Sequence, residues 1–393
     1  MIKILYFNPS SKIGGAEKSL LDLAENIDSR RYSPVVCLPE DGPLSDYLKA
    51  KNIEVRLIKI PRPVFISARR MNLVNILNMV LFPALIPLVV YRIGTIIGQE
   101  KPYIVHTNGI KFHFLCSLLK PFISFKLLWH FRDIPAENMW RWLISVFAYI
   151  FPDKIIVNSD VVKEIFSKNQ QTDKKTFRVY NGINIKKFTP TLPPEVIRKN
   201  LGYDREFIIG IFSMFTEWKG HRVLIKAVKI LSKTISDIRV LIVGDELYDT
   251  VRDRGYKEFL RSIVRTDSIE NFIKFLGYRE DIPDIMNAVN VVVNPTIRPE
   301  PFGRVILEAI SLGKPVVVTE NGGLTQIIRE KKLGLVIPPN DEYGLARALE
   351  YLYNDFSIQN EVNLKGRQFV KEMFSVEKYV AEVQKIYDSM HIQ

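Results

Sequence analysis

The sequence predicts an α/β protein of two doubly wound domains, each with a parallel sheet covered by helices on both faces. Short β-rich apolar runs alternate with longer segments of helical spacing, and this alternation stops at a Pro-rich stretch and then restarts. Runs such as Lys154–Val157 are almost continuously apolar, as in strands that are buried on both faces. The length of 393 residues also suits two cores, because one core rarely grows beyond roughly 250–300 residues.

The first half of the chain contains seven strand-like runs separated by helical patterns. The opening apolar run is too short for a signal peptide, so we interpret it as the first strand. The predicted strands are Ile2–Asn8, Ser33–Pro39, Glu54–Ile60, Tyr103–Thr107, Lys126–Phe131, Lys154–Asn158 and Phe177–Tyr180. The predicted helices are Gly15–Ile27, Leu44–Lys49, Ile110–Leu119, Trp140–Ile150 and Val161–Ser167.

The second half repeats the pattern. Its predicted strands are Phe207–Phe212, Arg239–Val243, Phe272–Phe275, Val291–Asn294, Pro315–Thr319 and Leu335–Ile337. Its predicted helices are Arg222–Ser232, Tyr256–Val264, Val305–Leu312 and Glu342–Asn354.

Thr189–Pro194 is rich in proline and predicts a linker between the two halves. We therefore expect an N-terminal domain over 1–185 and a C-terminal domain over 195–372, with a last helix over 376–390 that packs back on the first domain. Open parallel sheets bind ligands at the carboxyl ends of their strands. Both domains are thus expected to present those ends to one cleft.

The composition excludes several classes of protein. Two cysteines, Cys37 and Cys116, cannot build a disulfide framework or a Cys-rich zinc site, and they suit a reducing compartment. The chain has no Asp-x-Asp motif, and its five histidines show no metal-binding spacing. We predict no metal and no cofactor.

Positive charge is concentrated in the first domain. Residues 1–185 hold 25 basic and 15 acidic residues, a net charge of +10. Between Val55 and Arg132 there are eleven basic residues and one acid, Glu100. Such a surface attracts an anionic partner. No recognition motif accompanies the charge, so nucleic acid is not the predicted partner.

An apolar stretch inside this basic region has two interpretations. Met79–Tyr91 is uninterrupted by polar residues for 13 positions and contains two prolines, whereas a membrane span needs about 20 residues. With Arg69, Arg70 and Arg92 beside it, the stretch fits a segment that lies in the interface of an anionic membrane. The alternative is a buried helix of the first domain with ordinary solvated arginines.

The sharpest motif lies between the strand at Val291–Asn294 and the following helix. It reads Arg-Pro-Glu-Pro-Phe-Gly-Arg-Val-Ile-Leu-Glu-Ala over 298–309. Gly303 permits close approach of a ligand, and the amides of Phe302, Gly303 and Arg304 would form an anion site at the helix N-terminus. Glu300 and Glu308 flank this site and are placed to accept hydrogen bonds from sugar hydroxyls. The alternative roles are a surface acid and a helix-dipole partner.

With this motif the sequence resembles the retaining glycosyltransferases of family 4, which have the GT-B fold of two Rossmann-like domains. The resemblance covers essentially the whole chain. Its most specific element is the pair of glutamates separated by seven residues around Pro-Phe-Gly. Supporting matches are Gly14–Glu17, His130–Asp133, Asn181–Asn184, Trp218–Gly220, Leu276–Pro283 and Leu335–Asp341.

The resemblance implies roles for donor-binding residues in the second domain. Glu308 would bind the nucleotide ribose, Glu300 the hydroxyls of the donor sugar, and Lys219 the diphosphate. The backbone near Tyr278 and Arg279 would receive the base. Read alone, Lys219 could also be an exposed lysine at a helix start.

Other implied roles fall in the first domain. His130 would reach across the cleft toward the sugar, and the Gly14–Gly15 loop would lie beside the phosphates or the acceptor. The two glycines would allow a positive φ or close backbone approach, and a plain tight turn is the alternative. His106 either lines the acceptor side or packs in the core, and a core position is also the alternative for His130. Asp133 either orients Arg132 or caps the next segment.

The sequence departs from the family at a phosphate-binding position. Five residues before Lys219, where the family usually has arginine, stands Met214, whose thioether cannot hold a phosphate. Arg304, Arg222 or Arg279 compensates, or transfer is weakened.

The expected function is metal-independent transfer of a sugar from a nucleotide-sugar donor, a UDP-sugar, to a hydroxyl acceptor, with retention at the anomeric carbon. The basic first domain suggests a lipid-linked glycan acceptor in cell-envelope polysaccharide or glycolipid assembly. The expected location is the inner face of the cytoplasmic membrane, as a peripheral protein. The alternatives are a non-catalytic sugar-nucleotide-binding protein and a nucleotide-sugar epimerase or hydrolase of the same fold.

Overall fold

The computed structural model describes residues 1–60, 73–135, 139–246, 255–320 and 322–391, with only the backbone for 73–84. The chain forms two compact units, Met1–Gly182 together with Val376–Gln393, and Ile183–Ser375. One unit contains a seven-stranded sheet and the other a six-stranded sheet. All strand pairs are parallel. The predicted fold class of two doubly wound parallel sheets is confirmed.

The sheet of the first unit has the order β3-β2-β1-β4-β5-β6-β7. Its strands are β1 (Ile2–Phe7), β2 (Tyr32–Leu38), β3 (Glu54–Leu57), β4 (Ile104–Asn108), β5 (Lys126–Phe131), β6 (Lys154–Val157) and β7 (Thr176–Arg178). Its helices are α1 (Gly15–Asn26), α2 (Pro43–Ala50), α3 (Leu73–Glu100), α4 (Ile110–Ser117), α5 (Met139–Ile150), α6 (Asp160–Ser167), α7 (Gln170–Lys174) and α16 (Val376–His391).

Alternate residues of β1 face two separate apolar layers. Leu5 points into the layer that contains residues of α3, α4, α5 and α6, whereas Tyr6 points into the layer that contains residues of α1, α2 and α16. Tyr379, Val383 and Tyr387 recur every fourth residue along α16 and are buried in the second layer. The last helix of the chain therefore packs on the first sheet.

The apolar stretch that allowed two interpretations lies in α3. Val89, Ile93 and Ile97 recur every fourth residue and are buried against the sheet, so the end of the stretch belongs to a packed helix of the first unit. On the other side of α3, Leu88 and Tyr91 are exposed. Arg69 and Arg70, together with the side chains of 73–84, lie outside the described part of the chain.

The sheet of the second unit has the order β10-β9-β8-β11-β12-β13. Its strands are β8 (Phe207–Phe212), β9 (Ile238–Val243), β10 (Ile273–Gly277), β11 (Val291–Asn294), β12 (Val316–Thr319) and β13 (Gly334–Ile337). Its helices are α8 (Pro194–Leu201), α9 (His221–Leu231), α10 (Tyr256–Thr266), α11 (Ile282–Ala288), α12 (Arg304–Ser311), α13 (Thr325–Glu330), α14 (Glu342–Asn354) and α15 (Ser357–Phe374).

The segment predicted as a linker, Thr189–Pro194, is part of the second unit, so that prediction was wrong. The carboxylate of Asp284 accepts hydrogen bonds from the Thr191 amide at 2.6 Å, the Thr191 hydroxyl at 2.8 Å and the Leu192 amide at 2.9 Å. Burial raises the pKa of Asp284, but these hydrogen bonds outweigh it and hold the pKa below its ordinary value. The chain leaves the first unit after Gly182 instead.

Candidate functional site

The candidate site lies at the carboxyl edge of the second sheet, where β8 and β11 are neighbours. From this pair the sheet grows in opposite directions, toward β9 and β10 on one side and toward β12 and β13 on the other. This reversal leaves a crevice between the loops that follow the two central strands, and such crevices bind ligands in open α/β sheets. The loop after β8 carries Lys219, and the loop after β11 carries Glu300 and Gly303.

The turn into α12 requires a glycine at position 303. Gly303 has a φ of +80°, in the left-handed region that side chains with a Cβ rarely adopt. A Cβ at this position would lie 2.7 Å from the Ile306 Cδ1 and 3.2 Å from the Glu300 Cγ. The glycine therefore lets the chain turn sharply into the helix while Glu300 stays close to its first turn.

The N-terminus of α12 suits an anion. No side chain caps the helix, and the Gly303 amide has no hydrogen-bond partner among the described residues. Phe302 is buried and its ring lies 6.2 Å from that of Phe374, which anchors the turn. Amides that point out of a fixed helix start can donate to a phosphate oxygen.

Glu300 and Lys219 form an ion pair across the crevice of the second unit. The Lys219 Nζ donates to the Glu300 Oε2 at 2.5 Å, and the two side chains are only 13% and 12% exposed. A backbone hydrogen bond joins the two loops that carry these residues: the Ile297 amide donates to the Trp218 carbonyl at 2.9 Å. Lys219 and Glu300 therefore lie together beside the N-terminus of α12.

The next loop of the sheet supports Glu300. The Gly323 amide donates to the Glu300 carbonyl at 2.9 Å, and the hydroxyls of Thr296 and Thr319 lie 2.9 Å apart. These contacts join the loops after β11 and β12, so Glu300 is fixed from both sides.

Glu308 lies in the second turn of α12, half-buried. Its carboxylate has no hydrogen-bond or ion-pair partner among the described residues. A half-buried carboxylate without a protein partner is suited to accept hydrogen bonds from a ligand.

Tyr278 and Arg279 follow β10 at the same edge of the sheet. The Tyr278 ring is exposed, and Arg279 is paired with Asp281 at 2.5 Å. The Tyr278 amide donates to the carboxylate of Asp245, whose pKa is raised by burial but lowered below its ordinary value by its hydrogen bonds. The backbone here is therefore ordered by the loop after β9.

Met214 is half-buried after β8, and three arginines stand in the loops and helix starts of this edge of the sheet. Arg222 lines a small pocket together with Gly220 and Ile297, and Arg304 opens α12. Arg298 is exposed two residues before Glu300 and has no ion-pair partner among the described residues. Arg298 also lies inside the motif that the sequence singles out after β11.

The glycine loop of the first unit leads into α1. Gly14 has a φ of −108°, and neither Gly14 nor Gly15 is among the described residues with positive φ, so the loop does not use the positive φ that its two glycines would allow. The Gly14 amide instead donates to the buried Glu17 carboxylate at 3.1 Å, which begins α1. Burial raises the pKa of Glu17.

The side chains of His106 on β4 and His130 on β5 are buried next to each other in the first unit. Both side chains are fully buried, with 3.1 Å between the His106 Nε2 and the His130 Nδ1. Both rings are therefore packed inside the first unit. Of the His130 ring nitrogens, Nε2 has no hydrogen-bond partner among the described residues. Asp133 is exposed after β5.

The described residues contain no group of three or more His, Cys, Asp or Glu side chains placed to hold a metal ion. None of the helices in this part of the chain combines the length and the apolar character that crossing a bilayer requires.

Comparison with known proteins matches each half of the chain to a family model. The Glycosyltransferase Family 4 model matches residues 13–187, and the Glycosyl transferases group 1 model matches residues 194–369. Together the two models span most of the chain.

Individual relatives resemble all or most of the chain. A UDP-Gal:alpha-D-GlcNAc-diphosphoundecaprenol alpha-1,3-galactosyltransferase of Escherichia coli is 25% identical over 99% of this chain and 97% of its own. The capsular polysaccharide biosynthesis glycosyltransferase CapM of Staphylococcus aureus is 23% identical over 74% of this chain and 78% of its own. The crystal structure of Anabaena Alr3699/HepE in complex with UDP and glucose is 25% identical, with a TM-score of 0.82 over 99% of this chain and 100% of that one.

The matched models, the similar structures and the motif around Gly303 agree with one another. The chain belongs to the glycosyltransferases of family 4, enzymes of the GT-B fold that transfer a sugar from a nucleotide-sugar donor.

Proposed function

We propose that this protein is a retaining, metal-independent hexosyltransferase that uses a UDP-sugar and a hydroxyl acceptor on a lipid-linked glycan. The observation that carries the proposal is the uncapped turn at Gly303, with the Lys219–Glu300 ion pair on one side and the partnerless Glu308 carboxylate on the other. Amides and a lysine can bind a diphosphate, and carboxylates can bind hydroxyls. The structure of Anabaena Alr3699/HepE with UDP and glucose supports the choice of UDP.

The donor is assigned to the second unit. Glu308 accepts hydrogen bonds from the ribose, and the backbone near Tyr278 and Arg279 receives the base. Lys219 leaves Glu300 when the diphosphate binds, which frees the Glu300 carboxylate for the hydroxyls of the sugar. The Lys219 Nζ and the Glu300 Oε2 lie 2.5 Å apart, so a diphosphate and the sugar attached to it can reach both side chains together.

The leaving diphosphate needs positive charge near it, because charge develops on its oxygen as the sugar departs. We assign this role to Lys219, to the Gly303 amide and to Arg304. Arg298, which is exposed two residues before Glu300, takes the phosphate-binding role of the arginine that the family usually has where this chain has Met214. Retention follows front-face substitution, in which the departing phosphate oxygen takes the proton of the acceptor hydroxyl.

The acceptor is assigned to the first unit. His130 donates to the transferred sugar, while Asp133, His106 and the Gly14–Gly15 loop belong to the acceptor side. A lipid-linked acceptor in cell-envelope polysaccharide assembly is supported by the E. coli relative, which acts on GlcNAc-diphosphoundecaprenol, and by the S. aureus capsule relative.

A peripheral position on the inner face of the cytoplasmic membrane is supported by exposed aromatic residues on helices that pack on the same side of the first sheet. Trp140 and Trp142 on α5 are 55% and 64% exposed, and Tyr91 on α3 is 72% exposed. Further exposed apolar residues on α3, on α5 and after α4 are Leu88, Phe122, Met139, Tyr149 and Ile150. Tryptophan and tyrosine favour the headgroup region of a bilayer, since one end of each ring is apolar and the other is polar.

Charge on the same helices favours an anionic surface. The sequences of α3, α4 and α5 contain one acid, Glu100, which is 9% exposed and paired with Lys3 and Arg56. Asp133 and Glu137 lie between β5 and α5. Arg92 on α3 and Arg141 on α5 add positive charge to these helices, which attracts phosphate headgroups.

Binding to vesicles tests this surface. We expect cosedimentation to rise with the fraction of anionic lipid and to fall with salt. Changing Trp140 and Trp142 together to Ala should weaken binding at least tenfold, because two interfacial anchors are lost. Tyr343→Ala, which removes an equally exposed aromatic ring from the second unit, should leave it unchanged. Binding that ignores salt and both tryptophans would contradict the membrane assignment.

Incubation with a panel of nucleotide sugars and a membrane extract tests the reaction. Nucleotide release that requires the extract is the expected result, and nuclear magnetic resonance of the product should show a retained anomeric configuration. Glu308→Ala should weaken UDP-sugar binding by about 1–3 kcal/mol, because the ribose hydroxyls lose their acceptor. Release without extract would indicate a hydrolase, and tight binding without turnover would indicate a non-catalytic protein.

A further inference from the structure

A buried chain of polar side chains runs through the first unit from Tyr6 to His130. The Tyr6 hydroxyl lies 3.0 Å from the Tyr387 hydroxyl, which lies 2.6 Å from the His106 Nδ1. The His106 Nε2 lies 3.1 Å from the His130 Nδ1, and the Arg132 Nη2 lies 3.2 Å from the same nitrogen. All five side chains are at least nine-tenths buried.

The fold brings these residues together. Tyr6 on β1 is in register with His106 on β4, and the rings of His106 and His130 on β5 lie 5.2 Å apart. Tyr387 comes from α16, which covers this face of the sheet. The buried chain of polar side chains therefore comes from three neighbouring strands, β1, β4 and β5, and from α16.

Arg132 determines where the proton of His130 lies. A guanidinium is always charged and can only donate, so the His130 Nδ1 must accept from the Arg132 Nη2. Two further Arg132 N–H groups donate to the Tyr379 hydroxyl at 3.0 Å and to the Asn181 side-chain oxygen, and the buried Nε has no hydrogen-bond partner among the described residues. Burial, together with the Arg132 charge, holds the pKa of His130 well below its usual range. A neutral His130 whose Nδ1 accepts carries its proton on Nε2.

The other members of the chain follow in turn. Because the His130 Nδ1 has no proton, the His106 Nε2 must be the donor between the two rings. Burial also holds the pKa of His106 well below its usual range, so its Nδ1 is bare and accepts from the Tyr387 hydroxyl. The Tyr387 oxygen then accepts from the Tyr6 hydroxyl. Each proton that takes part in this hydrogen-bond chain is therefore assigned to one atom.

This hydrogen-bond chain ends at a donor that has no partner. The His130 Nε2 is buried and has no hydrogen-bond partner among the described residues. A buried N–H without an acceptor is costly, and ligands commonly supply the missing oxygen at such sites.

We propose that Arg132, His106 and Tyr387 are positioning residues that hold His130 in the Nε2–H tautomer, so that it donates to an oxygen of the bound sugar. The proposal rests on the proposed function for the identity of that oxygen. The tautomer itself can be observed without any substrate, so the two can fail separately.

Nitrogen NMR of the full-length protein, labelled with ¹⁵N at histidine, tests the tautomer. The protein has five histidines, and the spectrum of His130→Gln assigns the signals of His130. The expected pattern is a protonated Nε2 and a bare Nδ1, unchanged between pH 5.5 and 8 (about one unit on either side of the ordinary histidine pKa). A proton on Nδ1, or a charged ring in this range, overturns the proposal.

Tyr387→Phe tests positioning. It keeps the ring and removes the donor to His106, so we expect shifted ¹⁵N signals of His106 and His130 and a kcat/KM about tenfold lower, with little change in KM. Tyr32→Phe is the matched control, since it removes a buried hydroxyl that binds Asp388 on the same helix, outside the chain. It should lose similar stability and keep both the ¹⁵N signals and kcat/KM.

Two further results separate the possible failures. If Tyr387→Phe behaves like Tyr32→Phe in both measurements, the positioning role is wrong whatever the tautomer. If no nucleotide sugar is turned over but the tautomer and its response to Tyr387→Phe are as described, the proposed function fails while the hydrogen-bond chain stands. The assignment of the Nε2–H donor to a sugar oxygen is then overturned as well.

Discussion

Lys219→Ala lowers kcat by about a hundred- to a thousandfold, the usual cost of losing one preorganised charge at a developing anion. The effect is expected to be large because Met214 leaves the loop after β8 without the family's arginine. The side chain of Lys219 is largely buried beside Glu300, so no mobile surface lysine replaces it easily. Steady-state kinetics with the best donor of the panel measure the change, and calorimetry with UDP measures the accompanying loss of affinity.

Two variants separate this role from a structural one. Lys229→Ala removes an exposed lysine that is paired with Asp267, the residue after α10, and it should leave kcat unchanged. Combining Lys219→Ala with Glu300→Gln removes the unpaired carboxylate that Lys219→Ala leaves behind, and should restore stability but not turnover. If the double variant recovers turnover as well, the lysine serves only to neutralise Glu300.

The fold was predictable because its signals are local. Near-continuous apolar runs such as Phe207–Phe212 are fully buried strands, as the sequence suggested. The linker was mispredicted because Thr191 and Leu192 are fixed by Asp284, almost a hundred residues later in the chain. Proline content alone carries no information about such a distant acceptor.

The candidate site was predictable where backbone geometry dictates the residue. Gly303 has a positive φ, which explains why the motif that the sequence singles out contains a glycine at this position. The sequence also allowed a positive φ at Gly14, but Glu17 binds its amide and the turn needs none. His106 and His130 are buried because α16 packs over β4 and β5. No local sequence pattern reveals this long-range packing.

Gly303→Ala destabilises the protein and also weakens donor binding. The left-handed conformation alone costs an alanine about 1–2 kcal/mol. The added Cβ would also lie 2.7 Å from Ile306 and 3.2 Å from the Glu300 Cγ, so the turn must shift and carry Glu300 with it. We expect the total loss in free energy of unfolding to reach about 2–4 kcal/mol. Urea denaturation measures stability, and calorimetry with UDP-sugar measures affinity.

Gly202→Ala separates strain from displacement of the site. Gly202 has a φ of +83° at the end of α8, and a Cβ there would meet nothing within 4 Å. It should lose the same 1–2 kcal/mol of backbone strain, to within about 0.5 kcal/mol, and bind nucleotide normally. Equal stability losses in the two variants would mean that the turn at Gly303 accommodates the methyl group. Unchanged nucleotide affinity in Gly303→Ala would mean that the donor phosphates lie elsewhere, because a shifted α12 start would misplace both its amides and Glu300.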